Sequence, residues 1–477
     1  MCAAGLSSRR VIPAEAMQRG NARRRPSRGA LWCIGYPSPH RPAPPPFATL
    51  EAVAPMPLSP SPAAAAGNTA EGRPSGVSPS RPGPAARPEV ETLQAYSAPL
   101  EGRRGLLRLD FNENTIGPSP KVVEAIHAIA ADQLAVYPEY EGLREAVVAN
   151  LADRSAGRPG LAHPLEPSQV GLFNGVDAAI HALFHAYGSR GDTLLTTSPT
   201  FGYYSPCALM QGMEIAAIPY HLPDFAFPLE AIRAALVGAT AQDEPVATAS
   251  SVVSAVASSA RVTRPPRLLL ICNPNNPTGT RLAPERILEL AVAAPQTLVV
   301  VDELYEAFTG DSVVPQADFH ATPNLLVLRS LAKTAGLAGL RIGFAIGHAA
   351  VVDRLSRVTG PYDINSMAVT AAFAALADQD YVDAYVAEVR TAREWLVRQL
   401  RQAGVRHHAD GGNYVLLWPR TDPARLEQRL RKEAGILVRS MAGKPLIDGS
   451  LRVSLGTREQ MQCFWQAWQR LEAQAVG

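Results

Sequence analysis

From Leu106 onward, short continuous apolar runs alternate with segments of helical periodicity. The runs Val170–Phe173, Thr193–Thr197, Glu214–Pro219, Leu268–Cys272, Leu298–Val301, Leu325–Arg329 and Gly343–Ile346 have the length of strands buried on both faces. Between them, Asp177–Tyr187 and Pro284–Ala293 repeat apolar residues at helical spacing. Strands in alternation with helices predict an α/β three-layer sandwich with a mostly parallel sheet. After about Ser356 comes a long helical region, Met367–Ala403, followed by Asn413–Trp418, Ala424–Ala434 and Leu451–Leu455. That end reads as a smaller α/β C-terminal domain. The organisation expected is a large domain over 136–355, a small one over 356–477, and a segment 91–135 that joins the small domain.

Two stretches depart from this pattern. Residues 1–90 are dense in Pro, Ala, Arg, Ser and Gly, with little periodic apolar surface to offset chain entropy, and read as a disordered tail. The tail is either an Arg-rich organelle-targeting segment or an extension ahead of a later start at Met17 or Met56. Residues 238–262, rich in Ala, Ser, Val and Thr, are long for a helix-to-strand connection and read as a surface insertion.

Composition narrows the class. The 477 residues are 47% hydrophobic and 18% charged, enough for a large core. The net charge of +2 is uneven: eleven Arg, no Lys and five acidic residues give the first hundred positions +6, leaving −4 for the rest. The globular part therefore carries no basic surplus for a nucleic acid, and 1–100 shows no helix-turn-helix that would mark a regulator. The five cysteines are far apart, with no metal-type cluster and no disulfide framework, as in a reducing compartment. No apolar run approaches the roughly 18–20 residues of a membrane helix, and Leu31–Tyr36 is too short for a secretory signal. A cytoplasmic enzyme without membrane or metal is expected.

Three motifs follow buried strands, where α/β proteins place ligands. Asn273-Pro-Asn-Asn-Pro-Thr-Gly279 is a rigid turn that leaves the Asn276 amide able to face the crevice. Asp302-Glu-Leu-Tyr305 puts a carboxylate at a strand end, where burial demands a cationic partner such as a protonated pyridine nitrogen; Tyr305 is placed to bond a ring oxygen. In Leu328-Arg-Ser-Leu-Ala-Lys333, the lysine can form a Schiff base once its pKa is lowered, while Ser330 and Arg341 suit a phosphate dianion.

In this order the motifs resemble the fold-type I pyridoxal-phosphate enzymes, and most closely the histidinol-phosphate aminotransferase branch. Phe111-Asn-Glu-Asn-Thr-Ile-Gly117 is similar to that branch's opening, and Tyr137-Pro138 to its Tyr-Pro segment. The resemblance implies pyridoxal 5'-phosphate on Lys333, with Asp302 at the pyridine nitrogen and Asn276 and Tyr305 at the ring oxygen. It implies Phe201 stacked on the ring, and Gly175, Val176, Asp177, Ser330 and Arg341 around the phosphate. Tyr137 is implied to reach the phosphate in a neighbouring subunit, hence a homodimer with shared sites. Asn114, Arg439 and Arg452 are implied to bind the substrate. The sequence departs from the family at Ala332, Ala178 and Thr115, which removes one frequent phosphate ligand. The reaction implied is transfer of the amino group of histidinol phosphate to 2-oxoglutarate, giving imidazole acetol phosphate and glutamate. An aromatic or other amino-acid aminotransferase and a threonine-phosphate decarboxylase carry similar motifs and stay open at this point.

Overall fold

The computed structural model describes residues 83–94, 101–155, 158–237 and 265–476. The expected insertion at 238–262 and nearly all of the expected tail lie outside them. The tail boundary at 90 needs correction, because Pro88–Glu91 is a short helix held to the body by Arg87, which donates to Met210 O, and by Glu89, which pairs with Arg190. Residues 81–477 form one compact unit.

Its centre is a seven-stranded sheet: β1 (Val170–Phe173), β2 (Thr193–Ser198), β3 (Glu214–Pro219), β4 (Leu268–Cys272), β5 (Leu298–Asp302), β6 (Leu325–Ser330) and β7 (Gly343–Gly347), in spatial order β1-β7-β6-β5-β4-β2-β3. Only β7 runs against the others. Strands β4 and β5 are buried throughout, because helices cover both faces and every side chain meets a core. Each fully buried Leu or Val there stabilises the sheet by about 1.5–3 kcal/mol, so the frame that carries the site is rigid.

Register brings the chemistry to one edge. Cys272, Asp302 and Leu328 pair across the carboxyl ends of β4, β5 and β6. Because β7 is antiparallel, it begins at that same edge, with Gly343 opposite both Ser330 and Phe173. The residues just outside these ends are therefore neighbours: Gly175 after β1, Asn273–Gly279 after β4, Tyr305 after β5, Lys333 after β6 and Arg341 before β7.

A smaller antiparallel sheet follows: β8 (Arg406–His408), β9 (Tyr414–Trp418), β10 (Arg439–Ser440) and β11 (Leu451–Ser454), in the order β10-β11-β9-β8. The segment before the large sheet forms a separate two-stranded parallel sheet, in which Leu107–Arg108 pairs with Ile436–Leu437. The expected helical region over 367–403 holds two helices, Ser366–Leu376 and Gln379–Gln402. The break falls at Ala377-Asp378, where Asp378 leaves helical geometry at φ −118° and its carboxylate pairs with Lys121. None of the helices among the described residues is long and apolar enough to cross a membrane.

Candidate active site

Residues 109–112 run as a strap between the two sheets, with four successive carbonyls each accepting a hydrogen bond. Leu109 O accepts from Ser454 N at 2.9 Å, Asp110 O from Arg452 Nη2 at 2.5 Å, Phe111 O from Lys333 Nζ at 2.9 Å, and Asn112 O from Asn413 Nδ2 at 3.1 Å. The strap's entrance is fixed by Arg103, which grips both Asp110 and Glu113 and lies over the Phe111 ring. Lys333 thus faces the crevice between the sheets. Burial first, and the Arg452 guanidinium second, push its ammonium down to about 8. A larger share of free amine near neutral pH is what condensation with an aldehyde requires.

Asp302 ends β5 and is 2% exposed. Both of its hydrogen-bond donors are neutral: the Tyr204 hydroxyl at 2.6 Å and the Leu304 N–H at 3.3 Å. Burial without a bonded cation pushes its carboxyl up to about 6. Beside it, the Tyr305 hydroxyl accepts from Asn276 Nδ2 and from Asn112 Nδ2, both at 3.2 Å, while the Asn276 Oδ1 accepts from Arg452 Nη1 at 2.7 Å. The ring of Phe201 stands edge-on to Tyr204 at 5.4 Å.

The opposite pole is shaped for an anion. Helix Val176–Tyr187 starts directly after β1, and its cap Gly175 offers no side chain to its first-turn N–H groups. Arg341, itself left-handed at φ 57°, donates to Asp177 Oδ2 at 2.7 Å. A methyl group on Gly175 would come within 2.6 Å of the Arg341 Nη2, so the glycine makes room for the guanidinium. Ser330 Oγ accepts from Ala332 N at 3.0 Å and bonds Ile342 O at 3.4 Å. A helix N-terminus, a hydroxyl and an arginine around one hollow suit a phosphate.

Together these poles fit pyridoxal 5'-phosphate by their donor sets. A buried carboxylate lacking a bonded cation suits a protonated pyridine nitrogen, an Asn–Tyr pair suits the ring oxygen, and the anion hollow suits the phosphate. Lys333 lies among them, within electrostatic reach of Asp302, Asp177, Arg341 and Arg452.

Arg439 and Arg452 are directly opposite one another on β10 and β11. Like charges in that position repel unless an anion is shared between them. Arg439 also faces the ring of Phe111 at 5.6 Å.

Two expected site residues stand apart. Tyr137 lies on the surface, 72% exposed and stacked on Tyr362 at 4.3 Å, outside its own chain's crevice. Asn114, expected at the substrate, braces a loop. Its Oδ1 accepts from the N–H groups of Ile116 and Gly117, and its Nδ2 donates to Thr334 O at 2.8 Å, which anchors the loop beside Lys333. The asparagine that reaches the site is Asn112, whose left-handed φ of 55° turns its side chain toward Tyr305 and Ser454. Tyr204 and Arg103 were missed as well. Nothing local marks either: each takes its meaning from contacts that only the fold makes.

Residues 104–467 match the model of the family described as aminotransferase class I and II. The chain is 31% identical over 365 residues to histidinol-phosphate aminotransferase 1 of Pseudomonas fluorescens strain Pf-5, covering 75% of this chain and 91% of that one. It is 33% identical over 395 residues to histidinol-phosphate aminotransferase 1 of Bordetella parapertussis, covering 80% and 98%. Among solved structures, the histidinol-phosphate aminotransferase of Sinorhizobium meliloti in complex with pyridoxal-5'-phosphate shares the fold, with a TM-score of 0.67 at 23% identity over 81% and 97% of the two chains. The L-threonine-O-3-phosphate decarboxylase of Porphyromonas gingivalis shares it with a TM-score of 0.60 at 21% identity, over 77% and 99%. With a family match over most of the chain and a crevice whose donors suit the cofactor, this protein belongs to the class I and II aminotransferases, pyridoxal-phosphate enzymes of fold type I.

Proposed function

We propose that the enzyme moves the amino group of histidinol phosphate to 2-oxoglutarate. The observation that carries this reading is the opposed pair Arg439 and Arg452, the second of which acts on Lys333. Two guanidinium groups on one face suit a dianionic phosphate in one half-reaction and a carboxylate in the other. The names of the curated relatives point the same way.

When bound, pyridoxal phosphate supplies an electron-accepting ring conjugated to an aldehyde carbon. Lys333 would hold the cofactor through its amine, and the same amine, once free, would serve as the base that takes the proton from the substrate's amine-bearing carbon. The Phe111 carbonyl holds the Nζ at 2.9 Å and aims the amine before the cofactor arrives. Asp302 would hold the protonated ring nitrogen, and Tyr305 and Asn276, which bond each other, would hold the ring oxygen. Arg452, anchored by Asn276 Oδ1 and Asp110 O, presents its guanidinium at a fixed angle to the substrate's acidic end. Asp177 and Arg341 bond each other, with the guanidinium free to turn toward a phosphate because the pair is half-exposed.

The exposed apolar side chains Leu134, Val136, Tyr137 and Tyr362 support a homodimer in which Tyr137 completes the site of the second copy. A cytoplasmic location accords with the thinly spread cysteines.

A half-reaction screen tests the substrate. The cofactor-loaded protein is mixed separately with histidinol phosphate, aromatic amino acids, glutamate and phosphothreonine, and conversion to the pyridoxamine spectrum is followed. Fast conversion by histidinol phosphate and glutamate alone is the expected result. Preference for an aromatic amino acid refutes the substrate assignment, and carbon dioxide release from phosphothreonine refutes the reaction type.

A further inference from the structure

Asp302 is held by a residue with no assigned role. Tyr204 is 0% exposed, and its hydroxyl donates to Asp302 Oδ2 at 2.6 Å, the short distance of a charge-assisted bond. It begins helix Tyr204–Met210, three residues after Phe201 and packed edge-on against that ring at 5.4 Å. One short segment thus carries both the aromatic that would cover the cofactor ring and the donor behind the acid at its nitrogen. From the other side, the Leu304 N–H reaches Oδ1 at 3.3 Å.

We propose that Tyr204 is a positioning residue for the reaction: its hydroxyl, with the Leu304 N–H, fixes the plane of the Asp302 carboxylate so that the remaining lone pairs face a protonated ring nitrogen. The inference rests on the pyridoxal-phosphate reading of the crevice. A carboxylate at the end of a strand can rotate about its terminal bond, and two donors on different oxygens remove that freedom. The hydroxyl also favours the ionised form of a group that burial alone pushes toward neutrality. Tyr204 stays a donor at working pH, because burial and the neighbouring Asp302 hold its own proton far above the usual phenol range.

The competing account is packing alone: a buried tyrosine needs some acceptor, and Asp302 is the nearest. The two accounts differ in pH dependence. The groups that face Asp302 are Tyr204, Cys272, Tyr305, Asp177 and Lys333. All but the first are unchanged in a Tyr204→Phe variant, which keeps the ring and removes the donor.

The full chain and its Tyr204→Phe variant are stripped of cofactor and titrated with pyridoxal phosphate across about pH 5 to 9, with melting temperature recorded alongside. We expect the variant to bind the cofactor about tenfold more weakly at neutral pH, with the acid limb of affinity moved up by about one pH unit, because the carboxylate loses a donor that favours its charge. In the half-reaction, kcat falls while KM changes little. Tyr204→fluorotyrosine keeps the reach of the ring and makes its hydroxyl a stronger donor, so it moves the acid limb down instead of up. An acid limb superimposed on that of the parent, with only the melting temperature lowered, overturns the proposal. Should the phenylalanine variant not fold, the fluorotyrosine protein decides: an acid limb moved down supports the role, and an unchanged limb overturns it. Absence of binding by the parent protein overturns the cofactor reading and this inference with it.

Discussion

Gly175 offers a test in which strain and function separate. Its backbone, φ 78° and ψ 164°, lies in a region open almost only to glycine. Alanine there incurs a conformational penalty of about 1–3 kcal/mol. The added methyl also meets the Arg341 guanidinium at 2.6 Å to Nη2 and 2.9 Å to Cζ. That group is the far end of a flexible side chain, so it swings aside instead of deforming the sheet. What is lost is its bond to Asp177, a half-exposed pair worth roughly 0.2–1 kcal/mol to folding. Cofactor affinity suffers more: a charge-assisted bond to phosphate is worth about 1.5–3 kcal/mol, a factor of roughly 10–150 in Kd. Gly191→Ala is the control, since φ is 83° there and nothing lies within 4 Å of the added methyl. Thermal melts of the cofactor-free proteins should show comparable losses for the two variants. Titration with pyridoxal phosphate should show weakened binding only for Gly175→Ala. Equal affinity in both would refute the placement of Arg341 at the phosphate.

Three further outcomes follow from the charges. Lys333→Ala should abolish turnover and the visible absorbance of the loaded protein; in the parent, the rate of cofactor capture should rise with a midpoint near pH 8, the value set by burial and Arg452, and a midpoint near the ordinary lysine value would contradict that environment. Asp302→Asn should stabilise the cofactor-free protein at pH 8 while destroying activity. Burial lifts the folded carboxyl to about 6, above the ordinary aspartate range, so the folded state binds the extra proton between the two and stability falls as pH rises through that window. That displacement corresponds to about 3 kcal/mol as an upper figure, and a less stable asparagine variant in chemical denaturation at pH 8 would reverse the sign. Arg439→Ala should leave the cofactor-free melting temperature unchanged or slightly raised, by relief of repulsion from Arg452, yet raise KM for histidinol phosphate; unchanged KM in steady-state assays would remove Arg439 from the site.

Much of this arrangement was legible in the sequence because the fold puts strand ends at one edge. Asp302, Asn276 and Lys333 each follow a continuous apolar run, so local pattern alone located them. Tyr204 was not legible because its meaning lies in a contact 98 residues along the chain, and a tyrosine in a helix start looks like packing until the sheet closes. Asn112 and Asn114 sit in one short motif and differ only in backbone conformation, which composition does not reveal. The place of the helix break at Ala377-Asp378 was not legible, because Ser366–Leu376 and Gln379–Gln402 are both good helix formers and the partner of Asp378 is the distant Lys121.

The strap at 109–112 holds the active-site segments through oxygens that every amino acid possesses. Conventional substitution scanning is therefore blind to it: replacing the Phe111 side chain leaves intact the acceptor that holds Lys333. Its importance shows only when the main chain itself is altered, by deleting a residue or by exchanging the peptide linkage for an ester whose carbonyl is a poorer acceptor. In a tolerance map of this enzyme, these positions would look more permissive than the work they do.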